Sequence, residues 1–136
     1  MKHLVLAAGL CVFALPALAQ ATKFQAQLSG SQEVPAKQSN GTGTATATLD
    51  GNTLNYTVEY SGLSGPATAA HFHGPAEPGA NAGVVVPFAN PASPIKGTAT
   101  LNDQQKADLM AGKWYANVHT QQNPGGEIRG QMQRAQ

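Results

Sequence analysis

Apolar and polar residues alternate with a period of two along much of this chain. From Thr42 to Leu49 every second residue is a threonine, with Gly43, Ala45, Ala47 and Leu49 between them. Asp50-Gly51-Asn52 breaks the run, and Thr53 to Tyr60 alternates again. This is the signature of a hairpin with one buried and one wet face. Lys23–Leu28 reads as a first strand, Ala67–His73 as another that ends at Gly74-Pro75, and Val84–Val86 as a short, fully apolar one. Lys96–Leu101, Trp114–Thr120 and Glu127–Gln133 complete roughly eight strands, at the spacing of an all-β sandwich or barrel.

One segment departs from this period. Asn102 or Asp103 can cap a short helix from Gln104 to about Ala111, with Leu109 and Met110 as its buried edge and Gly112 as its stop. Such a helix plugs one end of the sandwich, and Met110 is read as packing rather than as a copper ligand. Two loops stand out. Ser29–Asn40 joins the first strand to the hairpin, and Gly74–Gly83, rich in Pro and Gly, follows directly on His73.

The N-terminal end has a different character. Lys2, the apolar run Leu4–Leu18 and Ala17-Leu18-Ala19 predict a signal peptide over residues 1–19, cleaved after Ala19 or Ala21. The predicted domain is then 20–136, in the periplasm or outside the cell, with no membrane attachment after cleavage. Cys11, the only cysteine, leaves with the leader, so packing, hydrogen bonds or a metal must hold the fold. Without Lys2, seven basic residues face seven acidic ones. That balance gives no support to nucleic acid or an anionic membrane as partner. A homodimer is compatible with the sequence.

The chemistry concentrates in histidines. His71 and His73 lie two apart on a predicted strand and therefore on one face, where both rings can reach one ion. His119, on a later strand, would complete a tripod, a usual nitrogen shell for copper or zinc. In the C-terminal hairpin, pairing Thr120 with Gly126 sets His119 opposite Glu127 and Asn117 opposite Arg129. His119, Asn117, Glu127 and Arg129 then share one face; Trp114, Val118, Ile128 and Met132 share the other as core. On that face Glu127 could orient His119 by accepting its distal N–H, or bind the ion itself. Arg129 could guide an anion to the ion or neutralise Glu127. The plainer reading is a surface Glu–Arg pair of small energetic weight.

These residues also carry a family resemblance. Leu28-Ser29-Gly30-Ser31-Gln32-Glu33-Val34-Pro35, Ala69-Ala70-His71-Phe72-His73-Gly74-Pro75-Ala76, Gly112–Thr120 and Asn123-Pro124-Gly125-Gly126-Glu127-Ile128-Arg129-Gly130-Gln131 resemble, in order, the motifs of chordin-type (CHRD) domains. The resemblance implies an antiparallel Greek-key β-sandwich, immunoglobulin-like or like copper/zinc superoxide dismutase. Animal versions sit inside large extracellular binding proteins. More loosely, His71-Phe72-His73 is similar to the copper-ligand pair of those dismutases. They use more histidines, one of them bridging, and a disulfide, so a two-metal site is excluded here on ligand count.

Copper leads as the expected cofactor, one ion, because divalent copper outcompetes other first-row ions at nitrogen sites. Zinc is the alternative. A copper site cycling one electron suits a small anionic substrate such as superoxide, with Arg129 as its guide. Two other readings stand beside this. One is a zinc-dependent hydrolase with Glu127 as base. The other is a non-catalytic extracellular binding module with a structural or buffering metal. Storage of copper by methionine runs, a histidine brace, a blue-copper centre and a Ser-His-Asp triad each lack a required residue or motif.

Overall fold

The computed structural model describes residues 9–13 and 20–136. Most of the segment read as a signal peptide, residues 1–8 and 14–19, lies outside the described residues. The strands are β1 (Thr22–Ser29), β2 (Thr42–Asp50), β3 (Thr53–Ser61), β4 (Ala67–His73), β5 (Val84–Pro87), β6 (Ile95–Thr100), β7 (Tyr115–Thr120), β8 (Ile128–Gln131) and β9 (Gln133–Arg134). One α-helix, α1 (Asp103–Met110), lies between β6 and β7, and a single 3-10 turn, Gly30–Gln32, follows β1. Among the described residues no helix is long and apolar enough to cross a membrane.

The alternation does what its period requires. β1, β2 and β3 form an antiparallel meander in which Ala26 pairs with Ala45, and Ala45 with Val58. Phe24, Ala26, Leu28, Ala45, Ala47, Leu49, Leu54, Tyr56 and Val58 all point into the core, leaving the threonines outside. Gly51 closes the β2–β3 hairpin with φ of 59° while Asn52 keeps negative φ. Positive φ at the first of two turn residues matches the right-handed twist of the strands, and glycine adopts it without strain.

The sheet runs β5-β4-β7-β8-β1-β2-β3-β6, with β9 added to β1. The expectation of two stacked Greek-key sheets needs correction here: the single sheet curls into a nearly closed antiparallel barrel. Side chains complete the closure. Tyr56 of β3 meets Phe72 of β4 edge-on at 5.3 Å and stacks on Phe88, just after β5, at 4.8 Å. Phe72 and Phe88 are themselves edge to face at 4.9 Å. Aromatic pairs of this kind add about 0.5–1.5 kcal/mol each beyond the area they bury. Gly97 of β6 makes room, since a Cβ there would fall 2.3 Å from the Tyr56 hydroxyl.

The helix is capped as its sequence predicts. The Asn102 side chain accepts from Gln105 N–H, and the Gln105 side chain accepts in return from Asn102 N–H. Leu109 is its buried anchor, and Met110 is half-buried against the core. The predicted last strand, Glu127–Gln133, divides in two. Met132 buries its side chain while its N–H bonds Trp114 O, and β9 then pairs with β1 rather than β7. Trp114, 1% exposed, packs on Phe72 and lies against Gly74, where a Cβ would meet its ring at 2.7 Å.

Candidate metal centre

β4 and β7 are paired so that His71 faces Asn117 and Ala69 faces His119. This register sets His71 and His119 diagonally across the ladder, on the same face as His73. One ligand atom from each of His71, His73 and His119 lies within 4.8 Å of the others. Two nitrogens on one tetrahedral ion at about 2.0–2.1 Å stand roughly 3.3 Å apart. His71 Nδ1 and His119 Nε2 are 3.1 Å apart.

Hydrogen bonds at the far side of the rings fix which nitrogens are free. His73 Nδ1 lies 2.9 Å from Ala82 O, and His119 Nδ1 lies 2.8 Å from Pro124 O. A carbonyl oxygen only accepts, so both Nδ1 atoms carry the proton and both Nε2 atoms present a lone pair. His73 Nε2 is buried and has no hydrogen-bond partner among the described residues. A buried acceptor left so costs about 1–3 kcal/mol, which a cation at that point would offset. Burial lowers the pKa of His71, and the neighbouring His119 and His73 lower it further. Burial also lowers that of His73, against the opposing hydrogen bond to Ala82. Neutral rings are the form that binds a metal. His71 and His119 are half-buried, so the edge they form is partly exposed. The donor set and geometry therefore fit a bound transition-metal ion.

The loop after β4 is fastened to the cluster from beneath. Tyr115 stacks flat on His73, with ring centroids 4.8 Å apart and planes within 2°. The Arg129 guanidinium covers the other face of Tyr115 at 3.5 Å. Arg129 is 2% exposed and donates to Asn81 Oδ1 at 2.8 Å and to Ala80 O. The Tyr115 hydroxyl donates to Ala82 O, the carbonyl that also holds His73. Arg129 thus sits behind the histidines with its donors turned to the loop rather than to solvent.

Glu127 corrects an expectation. The C-terminal hairpin has the anticipated register, Asn117 opposite Arg129 and Val118 opposite Ile128. Yet the Glu127 side chain does not reach His119. It accepts from Ser39 Oγ at 2.8 Å, Ser64 N at 2.9 Å, Thr120 Oγ1 at 2.8 Å, Asn123 Nδ2 at 3.0 Å and the Ser64 hydroxyl. Burial alone would raise its pKa, but the hydrogen bonds from Ser64, Thr120 and Ser39 prevail and hold it at about 2. Gly126, at φ of 125°, precedes it, and β8 begins only at Ile128, so Glu127 lies outside the regular ladder. His119 is oriented by Pro124 O, and Asn117 Oδ1 lies 2.9 Å from its Nε2. Nor are Glu127 and Arg129 a surface ion pair, since both are buried and neither bonds the other.

Sequence reasoning missed Glu33. It follows the 3-10 turn in the motif Leu28–Pro35 and is 6% exposed. Burial pushes its pKa up to about 7, against the opposing effects of Arg129, the Asn117 amide and Lys37. Its place in that motif was the only available signal, because nothing local places the carboxyl beside Asn117.

No curated protein and no solved structure matches the chain. A family model, the CHRD domain, matches residues 24–132, from within β1 to Met132, and so takes in all three histidines, Glu33 and Glu127. With the match running over nearly the whole described barrel, the chain belongs to the CHRD domain family.

Proposed function

We propose that this protein is an exported mononuclear copper protein that dismutates superoxide at the site formed by His71, His73 and His119. The observation carrying this reading is the cluster itself. Three imidazoles converge, the buried Nε2 of His73 has no partner among the described residues, and the edge formed by His71 and His119 is partly exposed. An open position separates a catalytic shell from a closed structural one. Copper held there would supply one-electron chemistry. Two superoxide anions and two protons give dioxygen and hydrogen peroxide, with no other reductant or oxidant consumed.

The chain's own groups bind and orient. Ala82 O and Pro124 O fix the tautomers of His73 and His119. Tyr115 keeps the His73 ring from rotating. Arg129 adds a fixed positive charge below the cluster, favourable to an approaching anion, while its hydrogen bonds hold the loop. The zinc-hydrolase reading loses its base, because Glu127 is fully buried with both oxygens occupied.

The test is metal analysis of the protein with electron paramagnetic resonance after copper loading, followed by superoxide decay in the loaded protein. One copper per chain, coupling to three imidazole nitrogens and decay far faster than with the metal-free chain are expected. Binding of zinc in preference to copper, or copper binding without superoxide turnover, would replace this reading by that of a binding module.

A further inference from the structure

The buried carboxyl of Glu33 and the amide of Asn117 are joined to the histidines but have no part in the tripod. Both are almost wholly buried, at 6% and 3% exposure. They converge over Gly126, where a Cβ would lie 2.5 Å from Glu33 Oε1 and 2.7 Å from Asn117 Nδ2. Glycine at 126 is therefore required by two polar atoms, not by its φ alone. Glu33 Oε1 has no hydrogen-bond partner among the described residues, and the Asn117 Nδ2 amide lies across the same Gly126 position from it.

This contact decides how the Asn117 amide is turned. In its ionised form Glu33 only accepts, and it then draws the NH₂ end of Asn117 toward itself and leaves Oδ1 facing the rings. Oδ1 is then 2.9 Å from His119 Nε2. With Nδ1 of His119 committed to Pro124 O, its Nε2 lone pair faces the Asn117 Oδ1 lone pairs at 2.9 Å, and His71 Nδ1 lies 3.1 Å from the same nitrogen. Two acceptors so close are relieved by a positive centre between them, either a proton or a metal ion. Carbonyl oxygen is also an ordinary weak donor to divalent copper beside imidazole.

The geometry points to Asn117 Oδ1 as a weak additional donor from the buried side to the ion held by His71, His73 and His119, leaving the half-buried edge of His71 and His119 for substrate, with Glu33 as the positioning residue that fixes the amide. This inference rests on the copper-site reading above. It gives the motif Leu28–Pro35 a role in the site, since that motif carries a carboxyl from the end of β1 to the back of a cluster built on β4 and β7.

The full chain and its variants are loaded with one equivalent of Cu(II). Affinity is read by competition with a chelator, and the copper hyperfine pattern by electron paramagnetic resonance. Asn117→Ala is expected to weaken binding by roughly 10- to 100-fold and to change the parallel hyperfine splitting while three nitrogen couplings remain. Glu33→Ala should shift both quantities the same way and add nothing further in the Asn117→Ala background, as for residues acting in series. If Asn117→Ala fails to fold, Asn117→Asp serves. An anionic oxygen donor there changes the hyperfine splitting, whereas a merely packing Asn117 leaves it as in the wild type. An unaltered Asn117→Ala (or Asn117→Asp) spectrum beside three wild-type nitrogen couplings would overturn this inference alone. Additive effects of Glu33→Ala and Asn117→Ala would remove Glu33 from its positioning role. Absence of three nitrogen couplings in the wild type would overturn the site reading and this inference together.

Discussion

The β7–β8 hairpin supports two buried polar clusters within a few residues of each other, and they are built on opposite principles. Around Glu127, five donors from three loops and the end of β7 saturate one carboxylate. Around His119, the Nε2 lone pairs of His73 and His119 and an amide oxygen turn inward beside His71, and one ring nitrogen has no partner among the described residues. A buried polar group whose bonds are all made holds structure, and a converging set of acceptors is suited to hold a cation.

Breaking the saturated cluster should have the largest effect. Glu127→Ala strands the Ser39, Ser64, Thr120 and Asn123 donors at once, and should cost about 3 kcal/mol or more in urea unfolding. A loss under about 1 kcal/mol would show that the carboxylate is not the clamp of these loops. Breaking the unsaturated cluster should do the reverse. His119→Ala should abolish stoichiometric copper uptake by calorimetry yet change metal-free stability by less than about 1 kcal/mol. Unchanged uptake would refute the tripod.

Arg129→Ala lies between the two clusters in kind. It removes the Asn81 and Ala80 bonds and the Tyr115 contact, so the loop that holds His73 should loosen. The expected result is retained copper, a cost of about 1–3 kcal/mol and slower superoxide decay. An unchanged rate would confine Arg129 to holding the loop.

The smallest effect sharpens the comparison through pH. Glu127 has its folded pKa lowered from 4.5 to about 2, so its contribution is present above pH 4.5 and lost as pH falls toward 2. Glu33 has its folded pKa raised from 4.5 to about 7, so the folded state binds the extra proton. Its contribution is present below pH 4.5 and lost as pH rises through 7. The lowered pKa values of His71 and His73 act the other way, adding stability as pH rises toward 6.5, so the Glu33 part is read as a difference. Glu33→Gln should lessen the loss of metal-free stability between pH 4.5 and 7 relative to the wild type. A difference between the two proteins that stays constant across that window would contradict this.

Local features of the chain were legible. Thr-Ala alternation sets β2, Asn102 caps α1, and the C-terminal register follows from which residues must be core. The same logic put His71, His73 and His119 on one face. What escaped depends on residues far apart in sequence. Glu127 turns away from His119 because Ser39 and Ser64, on other loops, offer more hydrogen bonds. The curl of the sheet brings together residues distant in sequence, such as Tyr56 with Phe72 and Phe88, and no local pattern reports it. Glu33 lies 84 positions before Asn117, and no periodicity reports such a contact.

The placement of Trp114 has a practical outcome. It is the sole tryptophan, and it rests on the backbone immediately after His73. Paramagnetic copper arriving at the rings should quench its emission, whereas zinc, with a filled d shell, should leave it bright. The molecule thus carries its own optical gauge of which ion it has taken up.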